Sequence, residues 1–204
     1  MSDTSAHFDP ALGLLEFDSI VAGIVAGDAM AKSAPVSSLF AGTVHPGHYL
    51  VVVGGDTASV EIALDAGGDR TLVDALFLAD VHPAVVDAIT SPDVAARLDG
   101  EALGVVETTT VAAAIVAADA GVKAAQVSLL ALRVADDLGG KGYCLFGGSV
   151  ADVEAAVERA AAVAEAPDRV IRSTVISQLH PDMRDNLANE LRLNPGLRGI
   201  GGSA

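Results

Sequence analysis

The chain contains no tryptophan, and aromatic residues fill 3% of its 204 positions. Without large rings, a core must be assembled from Ala, Val, Ile and Leu, which dominate an apolar share of 51%, and such elements pack with their backbones close together. Cys144 stands alone, so an intramolecular disulfide is excluded and the residue reads as a small core side chain. Basic residues are scarce: 12 Lys and Arg against 27 Asp and Glu leave a net charge of −15, which argues against nucleic acid or an anionic membrane as a partner. The start of the chain lacks the basic segment and apolar core of a signal peptide, which gives the expectation of a cytoplasmic protein. Glu16, Asp18, Asp28, Glu107 and Asp119 interrupt the apolar stretches well short of the roughly 20 residues of a membrane span. No Ser-His-Asp or Cys-His order is singled out by its context, so the chain offers neither an activated nucleophile nor a cofactor motif and reads as non-enzymatic. Gly140-Lys141 fails the phosphate-loop pattern, since Ala135 and Gly142 stand where Gly and Ser or Thr are required.

Only three lysines occur, Lys32, Lys123 and Lys141, and two of them mark one position of a repeat. Ala11-Leu12-Gly13 returns as Ala102-Leu103-Gly104, and residues 11–39 laid on 102–130 without a gap agree at 15 of 29 positions. A repeat of this kind fixes the architecture before any local signal does. Asp28-Ala29-x-x-Lys32-x-Ala34 returns as Asp119-Ala120-x-x-Lys123-x-Ala125, and Glu16 falls on Glu107. Each half is large enough for one modest core and small enough to lean on a neighbour.

Residues 12–17 form a short apolar run closed by Asp18-Ser19, a helix-entry signal, after which Ile20, Ile24 and Ala31 keep helical spacing. The pairs Asp28/Lys32 and Asp119/Lys123 place acid before base at i, i+4, worth about 0.2–0.5 kcal/mol each. Apolar runs over 36–44 and 127–135, each followed by a Gly-containing interruption and a second run at 49–53 or 143–146, predict one hairpin per half. Gly54-Gly55-Asp56 and Gly147-Gly148-Ser149 end those strands, and Ser149-x-x-Asp152 has the form of a capping box before Val150, Val153 and Val157 on one helical face. Final strands over 72–79 and 170–176 lead to His82-Pro83 and His180-Pro181, where Pro suits the first turn of a short helix and the matched histidines predict a hydrogen bond that fixes it. The class is therefore α/β in the α+β sense: two tandem ferredoxin-like βαββαβ domains, 10–98 and 101–190, with flexible tails at 1–9 and 193–204.

Ala-Leu-Gly-x-x-Glu, Asp-Ala-x-x-Lys-x-Ala-x-Val, a Gly-rich hairpin tip and the closing Val175-Ile176-x-x-x-His180-x-Asp182 together resemble the bacterial microcompartment shell protein family, over residues 10–190. The doubled domain resembles its tandem members of the unpermuted, single-layer type. The resemblance implies a homotrimer that imitates a hexamer, a structural tile of the compartment shell with a central pore for small polar metabolites. It implies as partners further copies of this chain, the other hexameric and pentameric shell proteins of the compartment, and encapsulated enzymes. It also implies that Lys32 and Lys123, with Asp28, Asp119, His82 and His180, belong to the edge where tiles meet. One departure stands out: Asp80 and Gln178 occupy the place, two residues before the histidine, where the family commonly has arginine.

In the family the hairpin tips line the pore, and here the two tips differ. The first is Val44, His45, Pro46, Gly47 and His48; the second, two residues longer, is Asp136, Asp137, Leu138, Gly139, Gly140, Lys141 and Gly142. Glycines at a tip also suit tight turns in any hairpin. Selectivity of such an opening would follow from its radius and the donors and acceptors on its rim. Two alternatives remain at this point. Three symmetry-related copies of His45 have the chemistry to hold a metal on the axis, although this chain lacks the first-tip cysteine through which some tandem members hold a cluster. A trimeric regulatory protein that binds a small molecule on the same scaffold is the other.

Overall fold

Six apolar residues and one glutamate build β1 (Ala11–Phe17), which is buried along its whole length. Ser19 caps α1 (Ile20–Ser33) by accepting the Ala22 N–H at 3.3 Å. The hairpin of β2 (Ser38–Val44) and β3 (His48–Gly55) follows, then α2 (Thr57–Gly67) capped by Asp56, β4 (Leu72–Leu78) and α3 (Pro83–Thr90). The second half repeats the order as β5 (Ala102–Thr108), α4 (Val111–Ala124), β6 (Ser128–Val134), β7 (Gly142–Gly148), α5 (Val150–Val163), β8 (Val170–Ile176) and α6 (Pro181–Asn189). This computed structural model describes residues 10–68, 72–90, 100–134, 138–163 and 169–189; the expected tails at 1–9 and 193–204, the junction 91–99, Asp136 and Asp137 lie outside the described residues.

Each half folds into one antiparallel sheet, in the orders β2-β3-β1-β4 and β6-β7-β5-β8. The capping box forms as expected, with Ser149 Oγ accepting the Asp152 N–H at 3.2 Å and donating to its carboxylate at 2.6 Å. The paired histidines also act alike: Nδ1 of His82 accepts the Ala84 N–H at 3.2 Å and Nδ1 of His180 accepts the Asp182 N–H at 3.3 Å, so each imidazole caps a short helix.

The repeated Ala-Leu-Gly motif has a steric cause. A Cβ on Gly13 would lie 2.8 Å from Val60 Cγ1, and one on Gly104 would lie 2.6 Å from Val157 Cγ2. In both halves the first strand thus meets the second helix at a distance that only glycine allows. Register adds a finding that the sequence hides. Phe17 pairs with Tyr49 and Thr108 with Gly142, so the structural counterpart of Tyr49 is Gly142, not Tyr143, and that of His48 is Lys141. The Tyr49 ring packs where Gly23 leaves room, whereas Gly142 leaves room for Ala114, the counterpart of Gly23. Bulk moved from helix to strand keeps each contact filled.

The two halves do not rest side by side as independent units. The helix-facing side of the first sheet closes over Phe17, Met30, Val51, Val53 and Val60, while its opposite face, with Leu12, Leu14 and Leu76, joins one core with Ile115, Cys144, Phe146 and Val157 of the second half. Helix α4 lies between: ten of its residues are buried, against four in α1. Five are alanines, which lets both sheets approach the helix axis closely.

Replacing Gly104 by Ala is expected to lower unfolding stability by about 1–3 kcal/mol through forced repacking against Val153 and Val157. Gly42→Ala, where nothing lies within 4 Å, is expected to cost no stability, and urea unfolding of the two variants checks the contrast.

Candidate functional site

The joint between the halves has an inner end beside the hairpin tips and an outer end about 18 Å away along α4, twelve residues at about 1.5 Å each. At the inner end Glu16 is fully buried. Its Oε1 lies 2.9 Å from His48 Nδ1 in the first tip, and its Oε2 accepts the Val111 N–H at 3.2 Å, at the start of α4. A carboxylate there meets the positive end of the helix dipole. Beside it Thr110 Oγ1 donates to Asp74 Oδ2 at 2.5 Å, and the Arg169 guanidinium pairs with the other Asp74 oxygen. Asp74 is fully buried while Arg169 keeps one side in solvent, so the acid depends on both partners to offset its loss of water.

At the outer end Asp119 Oδ1 accepts the His82 N–H at 2.8 Å, while Lys123 bonds to Asp119 Oδ2 at 2.7 Å and to the Asp80 carbonyl. Asp119 and Lys123, expected at an outer edge, therefore also tie α4 to the first half; the Lys123 side chain keeps 38% exposure and that of Asp119 only 7%. Their counterparts Asp28 and Lys32 pair with each other at 2.5 Å and stay open to solvent. The expected surface pairs are thus present in both repeats, in opposite environments. The same contrast runs along the whole helix. Val111, Ala112 and Ile115 of α4 are buried, and the counterparts Ile20, Val21 and Ile24 of α1 are 42%, 72% and 54% exposed.

The structure brings the two tips together. Gly140, at φ +87°, approaches the first tip so closely that a Cβ there would lie 3.0 Å from Pro46 Cδ and 3.9 Å from His48 Cε1. Gly47, at φ +115°, closes the first turn by donating to the Val44 carbonyl at 2.9 Å. His45, Pro46, Gly47, Gly139 and Lys141 are exposed, and Val44, His48 and Leu138 are half-buried. Gly142 is buried inside β7, where register places it opposite Thr108, so the exposed part of the second tip ends at Lys141. Lys141 Nζ meets Glu107 Oε1 at 3.0 Å, the counterpart of the His48–Glu16 contact but half-exposed. The repeated glutamates, legible in the sequence only as landmarks, are the residues that hold the tips. Asp74 and Arg169 gave no sequence signal, because their partners are more than thirty residues away, whereas Thr110 also caps α4 locally by accepting the Ala113 N–H at 3.1 Å.

Among the described residues no three His, Cys, Asp or Glu side chains converge as a metal would need within one chain. Cys144 lies in the core as expected, its thiol pushed up by burial. No described helix is long and apolar enough to cross a membrane.

Burial pushes the Glu16 carboxyl above its ordinary 4.5, with Asp74 adding to the rise, while the His48 contact and the Val111 N–H pull it back. The folded chain then holds this proton more tightly than the unfolded chain, so the contribution of Glu16 to stability falls as pH rises from 4.5 through the raised value. Glu16→Gln has no such proton to lose. Its stability relative to the parent is expected to increase with pH across that window, as read by urea unfolding at successive pH values; the reverse trend would mean that the hydrogen bonds outweigh burial.

Comparison with known proteins follows the same division into halves. The family model described as BMC domain matches twice, over residues 11–85 and 102–179. The bacterial microcompartment shell protein PduT of Citrobacter freundii is 41% identical over 177 residues, covering 85% of this chain and 95% of that protein. Carboxysome shell protein CsoS1B of Hydrogenovibrio crunogenus aligns at 35% identity with 42% of this chain and 95% of its own length, the span of about one repeat. A crystal structure of a microcompartment protein from Desulfitobacterium hafniense superposes with a TM-score of 0.72 at 37% identity, over 86% of this chain and 98% of the other. A fused permuted hexameric shell protein from the RMM microcompartment shares the fold, with a TM-score of 0.52 at 21% identity over 75% and 82%. Two matched domains and a relative aligned over nearly its full length place this chain in the BMC-domain family of bacterial microcompartment shell proteins.

Proposed function

We propose that this shell protein works as a ring of three copies, a six-domain tile with the hairpin tips around a central opening and the lysine-bearing helix ends at its rim. The exposed apolar face of α1 carries this reading. Inside one chain, the second repeat lays α4 on the bare face of the first sheet; the equivalent α1 lacks such a cover, and so does much of the second sheet. Ile20, Val21, Ile24 and Val25, at 42–72% exposure, form a patch that a lone chain leaves in water. The contact is heterologous, one surface on a different one, and repetition of such a contact closes a ring when the rotation permits. The family resemblance supports three chains as the number.

In that ring the two domains, taken as 10–98 and 101–190, alternate. The inner ends of the joints gather the tips, with His45 and Lys141 as exposed polar groups and Val44, Pro46, Gly47, His48, Leu138, Gly139 and Gly140 shaping the opening. Small polar metabolites would pass according to size and hydrogen bonding, with no chemical conversion and no cofactor. Lys32 and Lys123, each at the outer end of its helix, are the residues that meet neighbouring tiles, with Asp28, Asp119, His82 and His180 behind them. Other shell proteins would complete the layer and enzymes would lie within it.

Native mass spectrometry is expected to give about three times the chain mass of 20.4 kDa, and Ile24→Asp, which puts a charge on the patch, to give single chains. A parent protein that stays monomeric would end the ring reading. The double variant Lys32→Ala, Lys123→Ala is expected to keep the trimer but to lose the hexagonal layers seen by negative-stain microscopy; intact layers would remove these residues from the edge.

A further inference from the structure

The joint within the chain is anchored on one cross-strand row of the first sheet: Gly42, Leu50, Glu16 and Asp74, matched in register across β2, β3, β1 and β4. The equivalent row of the second sheet is Arg133, Tyr143, Glu107 and Arg172. Glu107 repeats Glu16, but Arg172 stands where Asp74 stands, so the sign of the charge at the end of the row is reversed. In the first row the acid Asp74 is met by Thr110 and by the basic Arg169, both from the second repeat. The counterparts of Thr109 and Thr110 at the start of α1 are Asp18 and Ser19, so here the helix side supplies an acid. Asp18 and Arg172 are both exposed, and neither has a side-chain hydrogen bond or ion pair among the described residues.

We infer that Arg172 of one copy pairs with Asp18 of the next, where Asp18 stands in the place of Thr109, the neighbour of the Thr110 that meets Asp74, and that this exchange of acid and base favours alternation of the two repeats around the ring. The inference rests on the ring reading above. Superposing one joint on the other by the repeat carries the start of α1 to the row of Glu107 and Arg172. There the Glu107 Oε2 takes the Ile20 N–H of the next copy, as Glu16 Oε2 takes that of Val111. At the other end Asp28 receives the His180 N–H, as Asp119 receives that of His82. The reversal adds discrimination to these shared contacts. A second-repeat unit set on the second sheet would bring Arg169 against Arg172, and a first-repeat unit set on the first sheet would bring Asp18 against Asp74 and Glu16. Each sheet thus repels the wrong helix and attracts the right one. An acid–base pair with one member on each copy is a device of specificity more than of strength.

The test compares parent, Arg172→Asp, Asp18→Arg and the double exchange by sedimentation velocity over a concentration series, with circular dichroism on each variant. Each single change is expected to raise the concentration at which the trimer dissociates by about tenfold or more, and the double exchange to bring it back within about threefold of the parent. A single variant that keeps the parent's dissociation concentration overturns the pairing, as does a double variant no tighter than either single one. If a single variant fails to fold, the double exchange decides: a folded, parent-like trimer supports the pairing, and anything else overturns it. A parent protein without a trimer at any concentration would fail the ring reading itself, a result distinct from these.

Discussion

Helix α4 is a core helix for two sheets at once, and most of the remaining structure accommodates it. Buried on both sides, it must be narrow, and Ala112, Ala113, Ala114, Ala117 and Ala118 make it so. Its buried N-terminal end and the buried Asp119 near its C-terminal end must find hydrogen-bond partners in the other half of the chain. Glu16 supplies an acceptor at the N-terminal end, and Asp119 and Lys123 exchange hydrogen bonds with the backbone at Asp80 and His82 at the C-terminal end. Glu16 is kept fully buried despite the desolvation that raises its pKa because the same carboxylate also holds His48. One side chain thereby fixes the domain joint and the base of the first hairpin tip.

A repeat that buries a surface in one copy and exposes it in the other describes an incomplete object. The core positions of α4 and the wet positions of α1 carry similar apolar residues, so composition alone gives no reason for their different exposure. The difference arises because α4 lies on a sheet of the other repeat, whereas α1 meets no such sheet within the chain. This is why a BMC-domain chain is best understood through what it repeats, and why the small departures between repeats matter. Tyr49 and Gly142, or Asp74 and Arg172, are places where the two repeats depart from one scaffold.

Much of the fold was legible in the sequence for physical reasons that are local. Ser19 and Ser149 cap helices through their own neighbours, Pro83 and Pro181 open helices with a fixed φ, and the apolar runs have strand length. The tips were legible as glycine-containing breaks between apolar runs. Their depth was not: Gly142 reads as part of a loop, yet cross-strand pairing places it inside β7. Register follows from which side chains fit the core, so Tyr49 stands at the position of Gly142 and not of Tyr143.

What the sequence determined by itself is the doubled architecture, the order of elements and the family, because repeat identity, caps and hydrophobic runs need no distant partner to be read. Tertiary structure alone decided which of two equivalent surfaces is buried and what the glutamates do. The contacts of Glu16 with Val111, Asp74 with Thr110 and Asp119 with His82 join residues from 36 to 95 positions apart. Such contacts exist only after two sheets have closed on one helix, and no local pattern in either repeat encodes that closure.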